Sequence, residues 1–527
     1  MYVPAEYGTI NGALAASSAG DTVLVAIGSY AEHIVMPPGE RTLAGSFLIT
    51  GDTSAIEATT LLPDTTISAD SQSIVSIFDA TTQAELIGFL LQDGNGTRYS
   101  AGNNNYGGAV LQLDGNVTIR HCLFRNNEAF IGSAVFADTG FTRLCIESCD
   151  FSHNTVFQGT VAAYGIELAV RGSRFHHNTG PKSMAVYVRY ANFVFENCVV
   201  DSNRNDYVGG PAVWSEACSS LLIANSAFRA NSSDTIASFP APLCLGMYYT
   251  SGVLDSCTFE DNVGIAIPAL SVAEGDVRIE NCVFRRNRTT QYGAIVSLVQ
   301  ESMVEFRGCL FDANTAIRWP GVAVVDQASF ESCRFINNVA DRPDTCGVLS
   351  GVLSTSEIVA HDCVFEGNRP YATYNCYLPT PTFNVRNCWW GDPSGPFHAT
   401  RNPQGLGDAI CGDSLLFEPW LLEPPATSDD PLAPFIPSEF SLLRAYPNPF
   451  NSQVMIEFTV ARALSVRLEV FDLLGRRVAT LADGPRDPGM HRVTWNAGDQ
   501  SSGIYFARLA SPAIRQKPAT QKLVLLK

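Results

Sequence analysis

The nine residues IENCVFRRN, Ile279–Asn287, decide the fold. An apolar residue leads, two polar residues follow, and then come a cysteine, an aromatic and a closing asparagine. Aligned on its cysteine, the string recurs along the chain. The cysteine column runs Cys122, Cys149, Ser173, Cys198, Ser226, Cys257, Cys282, Cys309, Cys333, Cys363, Cys388. Two residues on, the column is Phe124, Phe151, Phe175, Val200, Phe228, Phe259, Phe284, Phe311, Phe335, Phe365, Trp390. Five residues on, asparagine holds at Asn127, Asn154, Asn178, Asn203, Asn231, Asn262, Asn287, Asn314, Asn338 and Asn368. A repeat of 24 to 31 residues means stacked units that bury their apolar faces against one another.

Inside each unit the alternation has period two, the signature of a strand. Cys282 and Phe284 point one way, Val283 and Arg285 the other. Ile279 is out of phase with them, so the chain must bend near Glu280 and Asn281. A second apolar run follows each asparagine: GSAVFA from Gly132, YGAIVSL from Tyr292, PGVAVV from Pro320. Short strands, tight corners and no helical stretch within the unit predict an all-β solenoid, a parallel β-helix. Equivalent residues of neighbouring coils then lie ~4.8 Å apart. The phenylalanines stack inside. The asparagines take unusual corner angles and bond the backbone and one another. The column cysteines are expected as packed thiols, and mixed charges such as Arg120, Glu147, Arg171 and Glu196 face water.

This pattern resembles the right-handed parallel β-helix superfamily, the fold of pectate lyases. The opening VPAEYGTINGALAASSAGDTVLVAIGSYAEHIVM, Val3–Met36, is similar to the start of many such proteins, which implies a short N-terminal capping helix before the first strand. The segment NCWWGDPSGPF from Asn387 resembles the closing segment of bacterial β-helix surface proteins. The solenoid with its caps is accordingly expected over 1–421. Residues 422–440, with five prolines and neither lysine nor arginine, are expected as a linker.

From 441 to 527 the cysteines vanish and alternating strands appear: VMIEFTV from Val454, VRLEVFD from Val466, HRVTW from His491, GIYFARL from Gly503. These suggest a small β-sandwich. YPNPFN at Tyr446–Asn451, VFDLLGRRV at Val470–Val478, SSGIYFARL and the terminal QKLVLLK resemble the type IX secretion C-terminal sorting domain and its sister, the Ig-like domain of flagellar hook-capping proteins. The resemblance implies that the type IX secretion machinery is a partner and that the chain is secreted or held at the outer membrane or cell surface. The first residues have neither a basic region nor an apolar core, so this reading expects a leader upstream of Met1.

Composition narrows the partners. A net charge of −18 and a pI near 4.9 argue against nucleic acid as a ligand. No apolar run is long enough for a transmembrane span. Lys182 is the only lysine before Lys517. Fifteen cysteines, an odd number, leave at least one free thiol, and disulfides are expected most readily among Cys218, Cys244, Cys346, Cys376 and Cys411.

For chemistry, the Asn-Thr-Asp, Gly-His-Gly and Arg-Ile-Lys strings of polygalacturonase-type sites are missing, and the only Asp-Asp pair, Asp429–Asp430, sits in the linker. Two constellations remain. His153 and His177 share a column on adjacent coils, with Asp150, Arg174 and His176 nearby. They are the candidate catalytic group or the holder of an acidic sugar or metal, set against the plain reading of a polar ladder at an exposed corner. The insertion QDGNGTRYSAGNNNYGG, Gln92–Gly108, is the candidate binding loop. It offers Asp93 and Asn95 to calcium and Tyr99 and Tyr106 to glycans, set against a simple lateral loop. No dedicated metal site or other cofactor is expected. The leading expectation is a binder of extracellular polysaccharide or another surface partner. A polysaccharide lyase or glycoside hydrolase with an unorthodox lateral site is the alternative, and a structural surface protein the third.

Overall fold

The computed structural model of the chain describes residues 1–425 and 441–525 apart from short stretches, the longest of them 234–241, 342–347, 375–382 and 512–518. The chain divides into two compact units, Met1–Ala426 and Thr427–Lys527.

The first unit is a solenoid of parallel coils. One coil, the one carrying the opening string, stands for the rest. Asp276–Glu280 joins a sixteen-stranded sheet, Val283–Arg285 a thirteen-stranded sheet, Arg288–Thr289 a nine-stranded sheet and Ala294–Val299 a fifteen-stranded sheet. Each strand pairs in parallel with its counterparts one coil before and after, so Phe284 lies between Phe259 and Phe311. The alternation read from the sequence is the observed inside–outside alternation. Cys282 and Phe284 are fully buried, while Arg286 is exposed.

Two corners of each coil are set by residues in the left-handed region. The residue before every member of the cysteine column has φ of 49° to 58°, including Asn281 at 54°. This is the bend that the phase of Ile279 requires. The residue before every repeated asparagine has φ of 50° to 72°, among them His153, His177, Ala230 and Arg286. The asparagines themselves therefore do not take the unusual angle, which corrects the expectation by one residue. They do something the corner needs more. Each is buried and bonds three coils at once. Asn287 accepts hydrogen bonds from the backbone N (3.2 Å) and Nδ2 (3.0 Å) of Asn262. In turn it donates from Nδ2 to the Phe259 carbonyl at 2.7 Å, and from its own backbone N to Asn314 Oδ1 at 3.0 Å.

Inside, the phenylalanines stack with centroids 4.5 to 5.0 Å apart over most of the length, for example Phe259–Phe284 at 5.0 Å and Phe335–Phe365 at 4.9 Å. Val200 interrupts the stack, and Phe195 from the adjoining sheet fills that rung. The column cysteines are free buried thiols, and burial pushes Cys122 and Cys198 up to about 12. Cys218 and Cys244 are also free and buried, Cys411 is disulfide-bonded, and Cys346 and Cys376 lie outside the described residues. At the amino end, helix Ile10–Ala16 buries Ile10, Ala13 and Leu14 in the solenoid core. The Glu32 carboxylate accepts the backbone N–H groups of Ile10 and Asn11, satisfying donors that a helix start leaves open.

The second unit has a three-stranded and a four-stranded antiparallel sheet. Val454, Ile456, Phe458 and Trp495 from the first share one core with Val466, Leu468, Ala507 and Leu523 from the second. The two sheets thus face one another as a sandwich.

Asn287→Ala leaves the two Asn262 donors buried without an acceptor, so it is expected to lower unfolding stability by about 2–5 kcal/mol, read by denaturant titration. An unchanged midpoint would mean the ladder carries little of the stability. At the carboxyl end the ladder finishes on Asp408, whose carboxylate accepts Asn368 Nδ2 (2.7 Å), Asn368 N (3.0 Å) and Gly367 N (2.9 Å). Burial pushes this carboxyl up to about 6, against the pull of those donors. A carboxyl raised on folding contributes stability below its unfolded pKa and loses it as pH climbs through the folded one. The stability of the wild type relative to Asp408→Asn should therefore fall between pH ~4 and ~7, by about 1–2 kcal/mol for this partly exposed group. Parallel pH profiles of the two chains check it.

Candidate functional site

Over five coils the outward face of the fifteen-stranded sheet carries a run of aromatic residues. Aligned by register, five consecutive coils read AVFAD, TVAAY, AVYVR, AVWSE and CLGMY, from Ala134, Thr160, Ala185, Ala212 and Cys244. The second and fourth positions point into the core. The third and fifth point out and supply Phe136, Tyr164, Tyr187, Trp214 and Tyr248. The rings form a continuous strip. Centroid distances are 5.3 Å for Phe136–Tyr164, 5.7 Å for Tyr164–Tyr187, 6.5 Å for Tyr187–Trp214 and 4.6 Å for Trp214–Tyr248. Phe136 is buried under the others, whereas Tyr164, Trp214 and Tyr248 keep part of their surface in solvent.

Tyr106, from the Gln92–Gly108 insertion, stands at one end of this strip. The first turn of the insertion is tied to the asparagine ladder, because Gly94 N donates to Asn127 Oδ1 at 2.9 Å. Thr97 and Tyr106 exchange backbone hydrogen bonds at 2.9 and 3.0 Å, and Tyr106 lies 5.0 Å from Phe136. Of the residues expected to bind, Tyr106 is thus placed on the strip, and Tyr99 lies outside the described residues. Asp93 and Asn95 are both engaged within the loop. Asp93 accepts from its neighbour Gln92, and the Asn95 carbonyl accepts from Asn105. Among the described residues no three His, Cys, Asp or Glu side chains converge on one metal position.

A polar group of three side chains sits in the middle of the strip. Tyr187 Oη donates to Glu216 Oε2 at 2.9 Å, and Arg189 Nε lies 3.2 Å from Glu216 Oε1. Burial, with the Glu216 carboxylate beside it, holds the Tyr187 hydroxyl in its protonated form well above neutral pH. Arg189 also donates to Tyr190 Oη at 3.0 Å and covers that ring at 4.7 Å. Tyr190 and Tyr249 stand at the corner beside the strip, 60% and 58% exposed. On the other flank Phe130 and Phe157 stack at 4.3 Å, and the Lys182 ammonium lies 5.3 Å above Phe157. Flat apolar rings interleaved with hydroxyl, carboxylate and guanidinium groups suit a ligand that is apolar on its faces and hydroxylated on its edges.

The histidine constellation lies at a different corner, between the thirteen- and nine-stranded sheets. The structure brings Asp150, His176 and His177 together, with His153 stacked on His177 at 5.3 Å. Arg174 opens the short strand Arg174–His176. It makes a bidentate pair with Asp201 at 2.8 and 2.8 Å. Burial works against the Asp201 charge, but Arg174 outweighs it and keeps that carboxyl below its usual range.

Stacked parallel coils with a patterned outer face define a parallel β-helix protein. The profile described as "Right handed beta helix region" matches residues 65–228, 107–262 and 170–329, which together span just over half of the 527 residues. The chain belongs to this family. The profile described as "Secretion system C-terminal sorting domain" matches 444–525. That type IX sorting module indicates secretion or cell-surface localisation. No helix among the described residues is long and apolar enough to cross a membrane.

Metabotropic glutamate receptor-like protein R of Dictyostelium discoideum is 25% identical over 299 residues, 55% of this chain and 16% of that protein. Among solved structures, DFA-IIIase of Arthrobacter chlorophenolicus is 8% identical with a TM-score of 0.28, covering 69% of this chain and 84% of its own. An α-1,3-glucanase catalytic unit from Streptomyces thermodiastaticus is 12% identical with a TM-score of 0.26, covering 77% and 65%. A tailspike protein of bacteriophage CBA120 is 12% identical with a TM-score of 0.27, covering 77% and 62%. At such distances these likenesses bear on no chemistry.

Proposed function

We propose that this protein is displayed outside the cell and binds an extended polysaccharide along the aromatic strip of residues 106–248. The observation that supports the reading is the unbroken run of rings from Tyr106 to Tyr248. They recur once per coil, with successive centroids 4.6 to 6.5 Å apart. A chain of sugars in extended form offers one pyranose face at a similar spacing. The Arg189–Glu216–Tyr187 group supplies directional hydrogen bonds to hydroxyls at the centre of the strip. Glu216 is occupied by both of its partners, which favours a role in binding over that of a free general acid. The sorting module delivers the strip to where such polymers are.

Affinity electrophoresis against a panel of neutral and acidic polysaccharides tests this. Retention on at least one polymer is expected. Trp214→Ala and Tyr248→Ala should each weaken it by about 30-fold, the effect of removing an aromatic anchor worth ~2 kcal/mol. Retention that ignores both substitutions sinks the assignment of the strip. Release of unsaturated or reducing sugars from the retained polymer would replace binding by catalysis.

A further inference from the structure

The histidines at the corner between the thirteen- and nine-stranded sheets are arranged in a way that a polar ladder does not require. His176 Nε2 lies 3.0 and 3.1 Å from the two Asp150 oxygens. The carboxylate accepts, so that nitrogen carries the proton, and in neutral His176 the other nitrogen, Nδ1, is a lone pair. It lies 2.8 Å from His177 Nδ1. With His176 neutral, the one proton in that contact belongs to His177. Neutral His177 is thereby fixed as the tautomer whose Nε2 is bare, at an exposed position. The parallel ring of His153 lies one coil away at 5.3 Å, tilted by only 4°, and it too is exposed, with no hydrogen bond to its ring among the described residues. Both residues hold left-handed backbone angles, φ 57° and 53°, that place them in one column. The same column has Asn126 on the coil before and Ser202 on the coil after.

We propose that His153 and His177 form a two-histidine site for a divalent transition ion of the Zn2+ or Cu2+ type, with His176 and Asp150 as the groups that orient His177. A metal-bound imidazole characteristically donates its second N–H to a neighbour that sets its tautomer and raises its basicity. The Asp150–His176 pair does this for His177 before any ion arrives. Two imidazole nitrogens on a tetrahedral zinc, each ~2.0–2.1 Å from it, sit roughly 3.4 Å apart. For both nitrogens to reach one ion, the exposed His153 ring has to turn out of its parallel stack toward His177. The remaining positions are open to water or to a carboxylate of a ligand. Neutral nitrogen donors favour Zn2+ and Cu2+ over Ca2+ and Mg2+.

Calorimetric titration of the tag-free full chain with Zn2+ near neutral pH tests the site. Asparagine is at home in this backbone conformation, as Asn126 and Asn337 show with φ of 53°. His153→Asn and His177→Asn are therefore chosen to preserve the fold, and unchanged thermal melts confirm that they do. One Zn2+ per chain is expected. Each histidine variant should weaken it by about 30-fold or more, and Asp150→Asn by about 10- to 100-fold; Ca2+ should not compete. With Cu2+, electron paramagnetic resonance should show two coupled nitrogens. Zn2+ binding unchanged in the double histidine variant overturns the site. A single-nitrogen signal, or loss with His177→Asn but not His153→Asn, overturns the shared pair.

Discussion

The hydrogen bond from one asparagine amide to the next is the interaction on which the solenoid depends. Each coil is held to its neighbours by strand ladders, but those ladders alone leave the register of the corners open. The buried amide closes that freedom. It must accept from the coil before and donate to the coil after, so only a side chain with both groups at one length will serve. The left-handed residue just ahead of it brings the chain round so that the amide points inward. Because all the amides face the same way, they polarise one another along the stack. The column has a defined beginning at Gly94 and a defined end at Asp408. Phenylalanine packing, cysteine burial and parallel register then follow from coils already superposed.

A scaffold fixed from within leaves its outer columns free to vary. On the fifteen-stranded sheet, the inward positions of five coils are small or aliphatic, among them Val135, Val161, Val186, Val213 and Leu245. The outward positions alone distinguish an aromatic strip from an ordinary wet face. Rings carried on strands of a rigid sheet are ordered before any ligand arrives, so binding orders few side chains anew. The histidine corner uses the same device. The column position imposed by the ladder stacks two imidazoles that are 24 residues apart in sequence.

The solenoid was legible because its determinants recur at a fixed place in every unit. Cys282, Phe284 and Asn287 announce their columns by repetition, and the period-two alternation around them identifies strands. The position of the left-handed residue was not legible. Arg286, Ala230 and His153 share a conformation but no chemistry, whereas the asparagine beside them draws the eye. The aromatic strip escaped for a related reason. Tyr187 and Trp214 occupy one outward column and Tyr164 and Tyr248 the other, so an alignment centred on the cysteines scatters them. The second apolar run of each unit, aligned on Val135, Val161, Val186 and Val213, brings them out. Asp408 closes the asparagine column from forty residues beyond Asn368 and has no periodic partner to betray it. The proton order of Asp150, His176 and His177 depends on ring orientations that no spacing encodes.

The buried thiols have a consequence for the life of the chain outside the cell. A cysteine is oxidised through its thiolate, and only where an oxidant can reach it. In the folded solenoid the column sulfurs are buried, out of an oxidant's reach, and at Cys122 and Cys198 burial also keeps the thiol protonated. In the unfolded chain both conditions are met at every cysteine of the column. Oxidation therefore competes with folding rather than with function. A coil that opens exposes a sulfur, and an oxidised sulfur is a polar group that is costly to return to an apolar interior. The shape that makes cysteine a good rung thus ties the oxidation state of each molecule to how completely, and how soon, it folded.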